Sequence, residues 1–340
     1  MLPRMADAPF TAIQTESLDP AAFAIERSII EPAGGRLIIQ RAANQQERAA
    51  ILKDAQCVLV SSAPITGELL DQLPNLQLII RYGVGVDTLD IPAATAHGVV
   101  VAHYPDFCQP EVANHATMLL LAVARKLLAH DRSMREGRYR GEPFAVSAPI
   151  FGETMGIVAL GNIGKQFAVR AKALGMDVIA YDPYLDDGVF AAAGVRRMRT
   201  LEDLLRNANH VSIHAPLTPE THHMFGREQF ALMKPTSILV NTARGPIVEE
   251  AALVEALRGH QIAGAGLDVL EVEPVAADSP LLALPNVTLT PHSASYSERS
   301  NVLIKNRIGK TVVAFMQGRW PDEFATIPNR QEVQPRTTLR

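Results

Sequence analysis

Thr154-Met155-Gly156-Ile157-Val158-Ala159-Leu160-Gly161-Asn162-Ile163-Gly164 reads as an apolar strand, a glycine-bearing turn and the opening of a helix that continues over Lys165–Leu174. A second apolar run, Val178–Tyr181, follows and ends in Asp182. Strand, turn, helix and strand at this spacing make the βαβ unit of a dinucleotide-binding fold. The glycine pattern alone is weak evidence; the flanking elements strengthen it. Gly161 lets the backbone approach a pyrophosphate, and the amides from Asn162 and Ile163 onward would hold its charge at the helix N-terminus. Gly164 lets that helix lie close on the strand. Ala159 stands where G-x-G-x-x-G has its first glycine and adds a methyl to a tight turn. Asp182 would accept hydrogen bonds from ribose hydroxyls and repel a 2′-phosphate, which favours NAD; Arg196 and Arg197, not far beyond, leave NADP open. The bland reading is that the glycines only shape a turn.

Outward from this unit the alternation continues on both sides. Phe10–Gln14, Arg36–Gln40, Cys57–Ser61, Leu76–Tyr82 and Val99–Ala102 read as strands. Between them Pro20–Ile30, Gln45–Lys53, Thr66–Leu73 and Ile91–His97 read as helices. Asn114–His130 reads as one long buried helix bridging two domains. Downstream, His210–His214, Ser237–Asn241, Gly264–Asp268 and Thr288–Thr290 are further strands, and a helix over Ser297–Gln317 returns the chain to the first unit. Strands alternating with helices argue for parallel sheets with helical cover. The expected α/β fold therefore has two Rossmann-like, doubly wound parallel-sheet domains. The outer, discontinuous and flavodoxin-like domain takes residues 1–105 plus 298–340; the central dinucleotide-binding domain takes residues 106–297.

Composition narrows the partners. Hydrophobic residues are 47% and charged residues 20% of the 340, as in a soluble globular chain, and a net charge of −4 gives no broad basic field for nucleic acid. No run of about 18 uncharged apolar residues occurs, and Met1–Asp7 lacks the apolar core of a signal peptide, so no membrane span is expected and the cytoplasm is the expected location. Two cysteines suit a reducing compartment. Cys57 falls in a strand, and Cys108 is placed to border a cleft. The tail Gln331–Arg340 shows no apolar period and is expected to be disordered.

Three motifs carry the chemistry: Asn241-Thr242-Ala243-Arg244-Gly245, Glu273-Pro274 and Pro291-His292. Each follows an apolar strand-like run, so an arginine, a carboxylate and a histidine can converge where a nicotinamide lies. A hydride delivered to a ketone leaves an alkoxide that needs a proton, and histidine titrates in the range that suits the task. A neighbouring carboxylate favours a protonated ring and orients it. Glu273 fills that role, with Glu271 as its rival. Arg244 presents a planar fork that grips a 2-oxo acid, which a lysine does not reproduce. Each has a plainer reading: surface charge for Arg244, solvated loop acid for Glu273, a carbonyl-bonded loop residue for His292. Arg81 is a strand-end arginine that structure alone can explain. His222-His223 lacks the companions a metal needs, and a loop on the cofactor face suits it better. His115 reads as a core or capping histidine.

Taken together these segments resemble the D-isomer-specific 2-hydroxyacid dehydrogenase family, which includes phosphoglycerate dehydrogenases, hydroxypyruvate reductases and the C-terminal-binding-protein corepressors. The resemblance runs from about Val58 to Pro328. It is carried by Arg81-Tyr82-Gly83-Val84-Gly85-Val86-Asp87, the fingerprint above, His214-Ala215-Pro216-Leu217-Thr218, Asn241–Gly245, Leu267-Asp268-Val269, Glu273-Pro274 and Thr290-Pro291-His292. Asp182-Pro183-Tyr184-Leu185, His222-His223 and Ser293-Ala294-Ser295-Tyr296-Ser297 are most similar to the corepressor branch, although Ser295 stands where that branch has tryptophan.

The resemblance implies roles. Arg244 grips the substrate carboxylate and carbonyl, Glu273 pairs with His292, and His292 is the general acid/base. Asp268 contacts the nicotinamide side. Thr242, Ala243 and Ser295, with Ala215, Pro216, Leu217 and Thr221 of the 214–221 loop, line NAD alongside Arg244 and His292. Gly83 and Val84 offer backbone groups near substrate and nicotinamide, and Arg81 matches a second anion-binding arginine. The implied activity is NAD-dependent hydride transfer between a small anionic D-2-hydroxy acid and its 2-oxo acid, with no metal. An unphosphorylated acid is preferred, since no phosphate cluster appears beyond Arg81. An NAD(H)-sensing scaffold that recruits protein partners is the alternative. Formate oxidation ranks third, because the family's formate enzymes carry glutamine at the place of Glu273. The apolar stretch 112–129 implies a homodimer, and no regulatory domain of the serine-sensing kind is expected after Pro328.

Overall fold

The computed structural model describes residues 9–139 and 147–340; the amino-terminal segment read above for a signal peptide lies outside them. The strands are β1 (Thr11–Gln14), β2 (Arg36–Ile39), β3 (Cys57–Val60), β4 (Leu78–Arg81), β5 (Val100–Ala102), β6 (Thr154–Val158), β7 (Asp177–Tyr181), β8 (Arg196–Met198), β9 (His210–Ile213), β10 (Ile238–Asn241), β11 (Gly264–Leu267) and β12 (Val287–Leu289). The helices are α1 (Ala24–Ile30), α2 (Gln45–Leu52), α3 (Gly67–Leu70), α4 (Ile91–Ala96), α5 (Gln109–Ala124), α6 (Leu127–Arg135), α7 (Asn162–Ala173), α8 (Asp187–Ala193), α9 (Leu201–Asn207), α10 (Arg227–Leu232), α11 (Glu250–Arg258) and α12 (Glu298–Met316).

Two compact units result. One comprises the chain through Phe107 together with Ser297–Arg340, and the other is Cys108–Tyr296. In the first, five parallel strands run in the order β2-β1-β3-β4-β5, the doubly wound order of flavodoxin-like sheets. β3 and β4 are buried along their whole length, which is why Cys57-Val58-Leu59-Val60 reads as a continuous apolar run rather than an alternation. α12 packs on α1, and a Cβ at Gly309 would come within 2.9 Å of the Ile29 side chain.

In the second unit seven parallel strands run β12-β11-β10-β9-β6-β7-β8. Counted from β6, this is the Rossmann order with one strand added at the outer edge. α5 lies on α7 and across β10 and β11, and Leu119, Leu120 and Val123 join a core with Ile157, Phe167 and Val240. The expected pair of doubly wound parallel sheets is what the structure has.

Three local expectations need correction. The single helix expected over Asn114–His130 is two, because Lys126 takes a left-handed φ of 52° and α6 leaves α5 at 63°. α5 stays in the core through Ala124, whereas α6 buries none of its residues. Neither glycine nor proline marks the break. β8 was not foreseen: three residues, two of them arginines, form an edge strand beside β7. The tail is ordered. Arg336 donates through Nη1 to the carbonyls of Leu73 and Leu76, both at 2.9 Å, and its amide bonds to Gly98, while Arg340 donates to Gly318. Hydrogen bonds to loop carbonyls, with Val333 as a single buried apolar side chain, hold it, so periodicity was blind to it. Cys57 and Cys108 are both buried thiols, neither of them in a disulfide. Among the described residues no single helix is long and apolar enough to cross a membrane.

Candidate active site

In the second unit, each candidate segment leaves the carboxyl end of a strand. The 159–164 turn follows β6, Asp182 follows β7, the 214–221 loop follows β9, Asn241–Gly245 follows β10, Asp268–Glu273 follows β11 and Thr290–Ser295 follows β12. All strands are parallel, so these segments share one edge of the sheet. The order reverses between the neighbours β6 and β9, and open α/β sheets bind ligands outside such a point.

The 159–164 turn has the shape of an anion cradle. A Cβ at Gly161 would meet nothing within 4 Å, so the backbone is open to an approaching group. Gly161 also begins α7 without any side-chain cap, leaving the first amides for a ligand. A Cβ at Gly164 would lie 2.3 Å from the Ala159 carbonyl oxygen, which makes glycine obligatory there. Ala159 itself has φ 69°, the left-handed region its glycine counterpart enters freely; a non-glycine residue there costs about 1–2 kcal/mol. Asp182 is buried, accepting from the Leu160 amide at 3.0 Å and the Tyr184 amide at 3.1 Å. It thus ties the turn to the end of β7, and a carboxylate has further lone pairs for a ribose. Arg197 is engaged elsewhere, donating to Asp187 at 2.7 Å and lying over the Phe190 ring. The Thr242 hydroxyl is buried and has no hydrogen-bond partner among the described residues, a buried polar group of the kind a bound ligand satisfies. The residues present therefore fit a dinucleotide.

On the same sheet edge stand the three candidate side chains, Arg244, Glu273 and His292. The Asn241 side chain bends the strand end into a tight turn, accepting from the Ala243 amide at 3.0 Å and donating to the Arg244 carbonyl at 2.9 Å. A Cβ on Gly245 would fall 1.8 Å from the Leu270 carbonyl oxygen. Only glycine lets the loop carrying Arg244 press against the loop carrying Glu273. His292 Nδ1 donates to Glu273 Oε2 at 2.7 Å, and Glu273 Oε1 accepts from the Leu270 amide at 3.0 Å. Burial alone would raise the Glu273 carboxyl. The His292 bond, the Leu270 amide and the charges of His292 and Arg244 outweigh it and hold the group below its ordinary range.

Asp268 holds the His292 loop in place. It is 1% exposed and accepts from Thr290 Oγ1 at 2.6 Å and from the amides of Ser293 and Ala294, both at 2.9 Å. Its carbonyl takes the His292 amide at 2.8 Å. Burial pushes the Asp268 carboxyl up, but these donors and His115 prevail and bring it below the usual range. His115 on α5 was read as a core or capping histidine. Its Nε2 lies 2.8 Å from Thr290 Oγ1 and 3.3 Å from Asp268 Oδ1, and nothing in the sequence sets it apart from the other polar residues in the first half of α5.

The other candidates sort themselves. Glu271, the rival acid, accepts from His223 at 2.6 Å and from the Glu250 amide at 2.7 Å, away from His292. The 214–221 loop is closed by Thr221, whose hydroxyl donates to Pro216 and accepts from the Thr218 amide. Ala215 is buried and Pro216 exposed, with Leu217 between the two extremes. Burial drives the His214 ring down to about 3, so it stays neutral. Ser295 is half-buried just beyond His292, and Ala243 lies at the core's margin. In the first unit, Arg81 is buried at the end of β4 and donates to the Tyr82 carbonyl. The Val84 carbonyl accepts from His103 at 2.8 Å. Among the described residues no group of three or more His, Cys, Asp or Glu side chains is set to hold a metal ion.

Residues 117–294 match the model of the D-isomer specific 2-hydroxyacid dehydrogenase NAD binding domain. A glyoxylate reductase of Korarchaeum cryptofilum is 38% identical over 293 residues, covering 85% of each chain. This chain belongs to the D-isomer-specific 2-hydroxyacid dehydrogenase family. A D-3-phosphoglycerate dehydrogenase of Mycobacterium tuberculosis is 43% identical over 290 residues, which are 84% of this chain and 54% of that protein. The chain thus spans about half the length of the phosphoglycerate dehydrogenases it matches. The NADPH-dependent glyoxylate/hydroxypyruvate reductase of Sinorhizobium meliloti, solved with NADP and malonate, superposes with a TM-score of 0.84 at 29% identity, covering 98% of this chain and 100% of that one. The second unit of this family member is an NAD(P)-binding domain.

Proposed function

We propose that the protein is an oxidoreductase that interconverts a small 2-oxo acid and its D-2-hydroxy acid with NAD(H). One observation carries the reading: His292 and Glu273 are hydrogen-bonded at 2.7 Å on the same sheet edge as the open Gly161 turn, within reach of the Arg244 charge. A nicotinamide bound there supplies or receives the hydride. Arg244 binds the substrate carboxylate and polarises its carbonyl through the guanidinium fork. His292 delivers a proton from Nε2 as the alkoxide forms and takes it back in the oxidative direction. Glu273 fixes the ring through Nδ1 and stabilises its positive charge. Asp268 faces the nicotinamide side and holds the loop that carries His292. Arg81, with the backbone of Gly83 and Val84, is assigned to binding of the substrate anion.

NAD is preferred over NADP in this reading, because the carboxylate of Asp182 stands at the end of β7 and Arg197 is already paired with Asp187. A homodimer is proposed as well. The apolar residues of α5 are largely core, but Leu127, Leu128 and Met134 of α6 are each at least half exposed, and a partner copy would cover them.

The deciding experiment is NADH and NADPH consumption with glyoxylate, hydroxypyruvate, pyruvate and a phosphorylated 2-oxo acid. The expected result is turnover of an unphosphorylated acid, faster with NADH. Silence across the panel, with both cofactors binding, would remove the enzymatic reading. Light scattering at micromolar concentration should give twice the chain mass; a monomer would remove the dimer.

A further inference from the structure

A carboxyl group sits where the core of the first unit has no evident use for one. Glu26, on α1, is 0% exposed. Its Oε1 accepts from the Tyr82 hydroxyl at 2.7 Å, and its Oε2 is buried without a partner among the described residues. Lys305, whose charge acts on it, donates instead to the Ala22 carbonyl at 2.7 Å. Burial raises the Glu26 carboxyl, outweighing the Tyr82 bond and Lys305. An apolar side chain of similar size would fill the same space without the cost of dehydrating a carboxyl. What the carboxyl adds is direction.

That direction leads to the segment after β4. Tyr82 is fixed at both ends: its amide donates to the Val60 carbonyl at 2.7 Å, its hydroxyl to Glu26, and the Phe23 ring stands edge-on to it at 6.1 Å. Arg81 folds back so that its Nη1 donates to the Tyr82 carbonyl. A Cβ on Gly83 would lie 2.6 Å from that same Nη1, so guanidinium and Gly83 backbone are in close packing. The Gly83 amide bonds to the Arg81 carbonyl, and the Gly83 carbonyl accepts from Tyr104. The Tyr82 main chain, the Arg81 guanidinium and the Gly83 backbone are thus joined in one packed unit, with the Tyr82 ring fixed at its other end by Glu26.

We infer that Glu26 and Tyr82 are a positioning pair that sets the anion-binding geometry of the Arg81–Val84 loop. The inference rests on the assignment of that loop to substrate binding. Neither side chain touches substrate; both act through the loop. The reaction step is left alone, so the pair governs how well a 2-oxo acid is held, not how fast the held acid reacts.

The test uses the full chain. Tyr82→Phe should raise KM for the best 2-oxo acid by about tenfold, the scale of one lost hydrogen bond to a buried group, with kcat within about twofold and NADH binding unchanged. Glu26→Gln, which keeps an acceptor for the Tyr82 hydroxyl, should leave KM near the wild-type value. Because Tyr82→Phe also strands the carboxyl, the double variant Y82F/E26M removes both partners; it should regain thermal stability and keep the high KM. Amide exchange at Gly83 and Val84, followed without substrate, should quicken in Tyr82→Phe and not in Glu26→Gln. A wild-type KM in Tyr82→Phe with unchanged exchange would overturn the pairing, and so would a double variant that recovers KM along with stability. If the wild-type protein reduces no acid in the panel, the enzymatic reading fails by itself and the exchange measurement still decides whether the pair sets the loop.

Discussion

The second unit contains two histidine–glutamate pairs that look alike from a short distance. His292 meets Glu273 at 2.7 Å and His223 meets Glu271 at 2.6 Å. Both histidines have left-handed backbones, φ 51° and 52°, and both pairs are partly exposed. Their surroundings differ. Glu271 spends its second oxygen on the Glu250 amide at the start of α11, and the His223 ring lies 4.0 Å from that of His222. Glu273 instead feels the charge of Arg244, and the His292 backbone is tied to the buried Asp268. A charged pair acquires a chemical role from what fixes it and what it faces, not from its own bond. The first pair is anchored from below and open toward the sheet edge; the second closes a loop onto a helix.

The largest effect should separate the two at once. His292→Ala is expected to lower kcat for 2-oxo acid reduction by about 10²–10⁴-fold, the usual worth of a general acid. His223→Ala should stay within about threefold of wild type, since a solvated pair contributes little to anything. Steady-state kinetics on both variants, with NADH binding as the control, decides the matter; equal losses would mean that the geometry distinguishes nothing.

The anchor comes next. Asp268→Asn replaces an acceptor for the Ala294 amide with a donor or rotates the loss onto Ser293, in a group that is 1% exposed. A buried amide left unmatched costs about 3 kcal/mol at most, which for a unit of this size is up to about 10 °C in melting temperature. The sharper reading is local: amide exchange should quicken across Ser293 and Ala294 while the loop around His223 stays as it was. Uniform quickening of both loops would show that Asp268 supports the whole sheet edge rather than the His292 loop.

Acid pH provides a third contrast. Glu273 is held below its ordinary value of 4.5, so it is ionised above that pH and its support for His292 is lost only as pH falls through the lowered value. Glu273→Gln should reduce kcat by about tenfold or more at neutral pH. The carboxyl itself is followed by carbon NMR: the Glu273 carboxyl carbon should report an ionised group at pH 4.5 and titrate only below it, and a midpoint at or above 4.5 would mean the carboxyl is not held low at all. Glu271→Gln should leave kcat near the wild-type value.

Much of this was readable from the chain, and the reason is physical. Parallel strands buried on both faces leave long apolar runs, so β3, β4, β9 and β10 announce themselves, and the residues that follow each run fall at one sheet edge by construction. Hence Arg244, Glu273 and His292 can be nominated without coordinates. What escaped depends on hydrogen bonds between distant backbone groups. Glu273 was chosen, but Glu271 stayed its rival on the residues alone, because setting it aside needs to know which turn Gly245 allows to approach Leu270. His115 is one of several polar residues in the first half of α5, and only the fold shows Thr290 and Asp268 opposite it. Glu26 lies in an amphipathic stretch where an acid looks solvated. The tail beyond Gln331 has no periodicity, and its order comes from Arg336 gathering carbonyls around Leu73 and Leu76.

The smallest effect tests the quieter pair directly. The Glu271 carboxylate sits at the N-terminus of α11, accepting the Glu250 amide, where a negative charge is favoured by the exposed helix amides. A glutamine there keeps one acceptor and loses the charge. Glu271→Gln should therefore cost only about 0.5–1 kcal/mol, discounted for partial exposure, a fall of about 1–4 °C in melting temperature, with turnover unchanged. Combining it with His223→Gln should add almost nothing, because the single change has already removed the ionic part of the pair. Calorimetry alongside steady-state assays measures both. Should Glu271→Gln lose turnover as Glu273→Gln does, the helix cap would be part of the chemistry, and the two pairs would have to be treated as one connected network.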